Sequence, residues 1–250
     1  MIFNYLKSVI VLISICSIST LATAQDDDQP ERIDIKPRPA KKFYSSNALD
    51  ACIFSTSTLQ KPGVTKLSTL RFSYILNFGF NFNYDFNKHL GVFTGIGIKN
   101  IGFIDKIGDS TIKRRVYTIG APVGIKFGNL KKRTYGFIGG GVDLPFNYRE
   151  KGFIKRGKKD KFNEWFSDRT ELIMPYVFAG ISLDPGIAFK IQYYPTNFMN
   201  TDFTETSSGA LPVITKPYAG YNVNLILLSI GFDIRYTKAG TPKSVLVAAK

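Results

Sequence analysis

One histidine and two cysteines are all that this chain of 250 residues offers to the commonest nucleophilic and metal chemistries. His89 stands beside Lys88 in a predicted turn with no serine placed for it to activate, so it reads as a surface turn residue and not as a general base. Cys52 is the one cysteine left if the chain is cleaved after Ala24, and a single thiol cannot close an internal disulfide. No carboxylates stand at calcium-ligand spacing, and zinc-type motifs are absent. Gly95, Gly97, Gly139, Gly140 and Gly141 do not form a phosphate loop, because neither Gly-Lys-Thr nor a helix follows them. They give interior room or close strand approach instead. The expectation is a protein that is not an enzyme and holds no cofactor and no metal.

The elements that would position any site begin with an export signal. Met1, Lys7, the apolar run from Val9 to Ile18 and Leu21-Ala22-Thr23-Ala24 follow the charged, apolar and small-residue order of a signal peptide, residues 1–24. Its removal takes away Lys7 and leaves a net charge one below the formal +14. Residues 25–46 are rich in Asp, Lys, Arg and Pro and read as a flexible periplasmic lead-in, and residues 237–250 as a C-terminal tail. After the leader no apolar stretch is long enough for a membrane helix, the nearest being Val223 to Ile230.

Between these ends the chain alternates. Leu70, Phe72, Tyr74, Leu76, Phe78, Phe80, Phe82, Tyr84 and Phe86 occupy successive even positions, with Arg71, Ser73, Asn77, Gly79, Asn81, Asn83 and Asp85 among the odd ones. Period two on this scale separates the faces of a strand and of nothing else. Similar patterns predict eight strands, at about 47–58, 68–86, 90–103, 114–127, 134–149, 171–182, 187–198 and 220–236. Linkers after the even-numbered strands are short, and those at 59–67, 104–113, 150–170 and 199–219 are long. Strand length, even count and rim asymmetry predict an all-β, eight-stranded antiparallel transmembrane β-barrel over residues 47–236, with short periplasmic turns and longer extracellular loops. The 21 Phe and 13 Tyr then form a lipid-facing coat. Tyr84, Phe86, Phe146, Tyr148, Tyr193, Tyr194 and Tyr236 would be its aromatic girdles.

Two sets of residues follow as candidate sites. Arg71, Asp85, Lys99, Lys126, Asp143, Lys190, Asp233 and Arg235 fall on the inward face, where charges in a narrow space should pair and plug the interior. The loop 150–170 collects Lys155, Arg156, Lys158 and Lys159 with Trp165 and Phe166, an extracellular binding surface for phosphates, a polysaccharide or a partner protein. An exported soluble β-barrel that binds a ligand remains an alternative, since periodicity alone does not tell inside from outside.

The segment from Leu70 to Phe103, with its FNFNYDFNKHLGVFTGIGIKNIGF run, resembles the outer-membrane β-barrel domain proteins of Bacteroidota, and more distantly the small eight-stranded and PorT-like barrels. The resemblance covers about residues 47–236 and implies a location in the cell outer membrane and a structural or surface-interaction role. Its PorT-like members imply, as an alternative, an accessory component of a secretion or gliding apparatus. The expected partners are outer-membrane lipids and lipopolysaccharide, the outer-membrane insertion machinery and another envelope protein, but not nucleic acid.

Overall fold

The computed structural model describes residues 42–61, 63–107, 110–154, 159–206 and 213–235. The predicted leader, the lead-in up to residue 41, the tail with Tyr236, and the loop residues Lys155, Arg156 and Lys158 lie outside the described residues.

Strands form wherever the alternation predicts them. In chain order they are β1 (Phe43–Lys61), β2 (Val64–Leu67), β3 (Arg71–Asp85), β4 (Leu90–Ile107), β5 (Ser110–Asn129), β6 (Thr134–Ile154), β7 (Lys159–Trp165), β8 (Met174–Leu183), β9 (Ile187–Tyr194), β10 (Glu205–Thr206), β11 (Ile214–Thr215) and β12 (Asn222–Arg235). Antiparallel pairing runs from β1 through β3, β4, β5, β6, β8 and β9 to β12. β12 then pairs with β1 from Ser46↔Arg235 to Gln60↔Asn222, so these eight strands make a ring. β2 pairs with β1, β7 extends the far end of β6, and β10 with β11 form a separate small sheet.

This ring corrects the expected barrel, because the sheet does not close evenly round an axis. Barrel closure needs tilt and stagger shared by all its strands. Here β5 and β6 pair from Ser110↔Ile154 to Asn129↔Thr134, whereas β8 and β9 pair only from Val177↔Tyr193 to Leu183↔Ile187. The clearest departure lies between β3 and β4. Their ladder runs from Asp85↔Gly91 to Phe78↔Ile98 and stops, although both strands continue. Beyond it side chains satisfy the open edge of β4: Asn77 Oδ1 accepts from the Asn100 N–H at 2.7 Å, and Arg71 donates to the Asn100 carbonyl at 3.4 Å and to Asn100 Oδ1. Ser55 Oγ donates to the Gly102 carbonyl at 2.8 Å.

Two expected long loops are also corrected. The stretches 104–113 and 150–170 are mostly strand: β4 and β5 pair as far as Ile107↔Ser110, and β6 and β7 from Phe153↔Lys159 to Asn147↔Trp165. The turns at 87–89, 130–133 and 184–186 gather at the opposite, short-turn rim, together with Lys42 and Arg235.

Burial decides which face is inside. Phe78, Val123, Ile138 and Leu228, on four different strands, are 60, 62, 54 and 51% exposed. Thr118, Lys126, Asp143 and Ser229 are buried on the other face. The exposed belt is apolar and the interior carries the charges, the reverse of an ordinary soluble protein.

Candidate functional site

The inward face can be followed along β4, where Phe93, Lys99, Ile101, Phe103 and Asp105 point into the ring. Nearest the short-turn rim, Lys126 of β5 reaches across to Asp85 at 2.7 Å, Asn83 Oδ1 at 3.0 Å and the Tyr44 hydroxyl at 2.8 Å. Arg235 lies over the Tyr44 ring at 4.7 Å and 3.7 Å from Asp233, which also accepts from the Tyr135 hydroxyl at 3.3 Å. Farther along, Phe93, Phe137, Phe178 and Tyr176 bring their rings together around a cavity of about 120 Å³. Next comes Lys99, 2.8 Å from Asp143 and 3.7 Å from the Tyr176 ring centre. Asp143 also accepts from the Tyr194 hydroxyl at 2.6 Å. Lys190 pairs with Asp50 at 3.0 Å.

Beyond Lys99 the interior turns apolar. Ile101, Phe103, Val116, Tyr148, Leu225 and Leu227 are almost completely buried there. A second charged group closes the long-loop end: Asp105 takes Lys61, with Arg114 at 3.6 Å, and Arg114 reaches Glu150 at 3.1 Å. Above it Arg169 bonds Glu164 at 3.2 Å, Glu205 at 3.0 Å and the Tyr218 hydroxyl at 3.2 Å. Burial works against the Arg169 charge, but the hydrogen bonds to Tyr218 and Glu205 outweigh it and raise its pKa above the ordinary guanidinium value. In each of these groups the cations meet carboxylates, which is the condition for holding ions in a narrow space.

The Lys99–Asp143 pair depends on a glycine. The two residues sit on β4 and β6, on either side of Gly120 of β5, and a β-carbon at Gly120 would overlap Asp143 Oδ1. A Gly120→Val variant should therefore push Asp143 off Lys99 and lower stability by about 1–3 kcal/mol. Urea unfolding in neutral detergent would measure this, and an unchanged midpoint would contradict the crossing.

Of the predicted interior residues, the fold brings together Lys99 with Asp143, Lys126 with Asp85, and Arg235 with Asp233. Lys190 takes Asp50, a residue absent from the predicted set. Arg71 is buried but makes no ion pair among the described residues, being used on the Asn100 edge. Of the predicted binding loop, Lys155, Arg156 and Lys158 lie outside the described residues. Lys159 starts β7, while Trp165 and Phe166 are 62 and 78% exposed at its end, where Trp165 stacks on Phe146 with ring centres 6.0 Å apart. His89 is exposed in the β3–β4 turn, 3.2 Å from the Gly128 carbonyl. Two expected girdle residues, Tyr148 and Tyr194, are buried inside the ring instead.

Sequence reading missed Asp50, Tyr44, Tyr135, Tyr194 and the whole group around Asp105. A phase change could have exposed Asp50. On β1, Ser46, Ala48 and Asp50 face inward at even positions, a bulge falls between Asp50 and Cys52, and Ile53, Ser55, Ser57 and Leu59 face inward at odd ones. Among the described residues no group of three or more His, Cys, Asp and Glu could hold a metal ion.

Fold and interior together define a mostly β protein whose ring of eight strands is filled by paired charges and aromatic rings. No family model matches the chain, and no curated protein does. Among solved structures it is similar to Neisserial surface protein A, at 13% identity, covering 78% of this chain and 98% of that one with a TM-score of 0.41. It is also similar to Ail, the attachment invasion locus protein of Yersinia pestis, solved in complex with the heparin analogue sucrose octasulfate (14% identity, 78% of this chain, 100% of that one, TM-score 0.34). A third is CarO of Acinetobacter baumannii (10% identity, 74% of this chain, 97% of that one, TM-score 0.34). The likeness is to proteins of this general β-rich kind and not to the Bacteroidota family in particular.

Proposed function

We propose that the protein resides in the outer membrane with the apolar belt of its ring against lipid, and that it serves a structural or surface-interaction role without catalysing a reaction. The belt carries this reading. Phe72, Phe78, Ile96, Val123, Ile138, Val177, Ile191 and Leu228 expose their side chains on seven of the eight ring strands, an apolar surface far larger than the few hundred Å² that soluble monomers tolerate. On β5 the belt runs from Ile119 to Phe127, which at about 3.4 Å per residue and a usual tilt rises about 20 Å, close to the apolar band of known membrane strands. Aromatic rings flank it, Tyr84 and Phe86 below and Tyr117, Phe146 and Trp165 above. No helix among the described residues is long and apolar enough to cross a membrane, so lipid contact falls to strands. The predicted export signal supplies the route.

The filled interior supports a plugged ring and not an open channel, which leaves the hairpins of the long-loop rim as the part that meets other molecules. The untagged protein should stay with the envelope pellet after alkaline carbonate washing and need detergent for release. Recovery from the soluble periplasmic fraction without detergent would overturn the proposal and favour an exported ligand binder.

A further inference from the structure

The cavity inside the ring has two unlike walls. On one side three phenylalanine rings lie against the inner face of the sheet: a β-carbon at Gly124 would run into the Phe93 ring, one at Gly139 into Phe178, and one at Gly180 into Phe137. The three ring centres stand 5.9, 6.2 and 6.3 Å from one another. The other side is lined by Ala48, Gly79, Gly97 and Ala188, which are too short to meet the rings, and a space of about 120 Å³ is left between. Protein interiors pack closely enough that a void of this size is exceptional. Lys126 and Asp233 of the rim layer form part of its wall, so it lies directly behind the short-turn rim.

The polar groups on the wall are of two kinds. The charged ones are matched: Lys99 with Asp143, Lys126 with Asp85 and Lys190 with Asp50. The uncharged ones are not. Gln192 is 3% exposed, and among the described residues its side-chain amide has no hydrogen-bond partner. The register sets it directly across from Phe178, at the edge of the aromatic wall. Asn77 uses its Oδ1 on the Asn100 N–H, and its buried Nδ2 has no partner either. Buried polar groups are ordinarily hydrogen-bonded, so an idle amide beside an apolar cavity marks a place where a partner belongs. We infer that the cavity is a binding site for a small uncharged molecule with one aromatic ring and one hydroxyl group, the ring against the three phenylalanines and the hydroxyl on the Gln192 amide. An apolar cavity of about 150 Å³ takes up benzene, so a single ring is the size that fits. Ordered water needs several polar partners, and the phenylalanine wall offers none. An anion would face the carboxylates that already hold the lysines, and a cation the lysines themselves, which restricts the ligand to uncharged molecules. The site lies inside the ring, so the inference holds whatever covers the belt.

The test titrates the full-length mature protein, in an uncharged detergent at neutral pH, with para-fluorophenol. Fluorine NMR reads a bound resonance distinct from free and micelle-held probe, and wild-type protein should show one that saturates. Ala188→Leu and, separately, Ala48→Leu put a larger side chain into the space. Each should abolish the bound resonance while thermal unfolding stays unchanged or moves later, as filling a real void does. Gln192→Leu should weaken para-fluorophenol about fivefold, the loss of one neutral hydrogen bond, and leave fluorobenzene binding as it was. Para-fluorobenzoate should not compete. No saturable resonance in the wild type, an unchanged one in both filled variants, or competition by para-fluorobenzoate overturns the inference. Earlier unfolding of both filled variants would mean that the space is not there, and overturns it as well. Equal effects of Gln192→Leu on the two probes would remove the hydroxyl from the ligand and with it the proposed class.

Discussion

An Asp143→Ala variant is expected to lose about 3–5 kcal/mol of stability, the cost of leaving one member of a buried ion pair unopposed. Asp143 is fully buried, pairs with Lys99 Nζ at 2.8 Å and accepts from the Tyr194 hydroxyl. Without it Lys99 keeps only the face of Tyr176 and a 3.5 Å contact to Tyr194. A desolvated cation–π contact is worth about 2 kcal/mol, too little to stand in for a carboxylate. Replacing both partners, as in Lys99→Met with Asp143→Leu, removes the charges as well as the attraction. That double variant should fall within about 1 kcal/mol of wild type or exceed it. Urea titration in neutral detergent separates the two cases. A single variant as stable as the double one would mean that water reaches this layer and that the pair adds little.

The second expected result concerns the outside. Val123 lies in the middle of the β5 belt and is well exposed, so in water Val123→Arg should change stability by less than about 0.5 kcal/mol. In a bilayer the same change places a guanidinium against acyl chains and should cost about 2–4 kcal/mol. Thr111→Arg, on the same face of the same strand beyond the girdle, should cost close to nothing in either setting. Measured in lipid vesicles, a large difference between the two positions supports a lipid-facing belt. Equal small effects would place that face in water and remove the basis for membrane residence.

Much of the architecture was legible in the sequence because alternation is a direct image of a strand with unlike faces. The eight ring strands, the exposed even face of β3 and the inward position of Lys99, Lys126 and Asp143 all follow from period two. What escaped were the places where the period breaks. On β6, Pro145 and Phe146 stand against a register shift between Tyr117 and Thr118, and past it the inward phase passes from Asp143 to Tyr148. Tyr148, read as a girdle residue, thereby enters the core. The weak alternation at 47–58 has the same origin in the bulge of β1. The charged stretches at 104–113 and 150–170 resembled loops because loops are polar, yet a strand that leaves lipid is also polar on its outer face. Lys113 and Arg115 alternate with the inward Arg114 and Val116, so the period persisted there in charge and burial after it had faded in hydropathy. Even closure is a different matter: it depends on tilt and stagger summed over all strands, and no local pattern encodes that sum.

The open edge between β3 and β4 shows what that sum leaves behind. Where a ladder is present, neighbouring strands stand about 4.8 Å apart whatever residues they carry. Between the rung Phe78↔Ile98 and the isolated bridge Thr69↔Ile104 no ladder sets the spacing, and Arg71 and Asn77 from the β3 side, with Ser55 of β1, reach β4 instead. Over that stretch the circumference of the ring is a function of side-chain length. The separation of β3 from β4 just past Lys99 thus depends on three side chains, open to change by substitution in a way that a hydrogen-bonded wall is not.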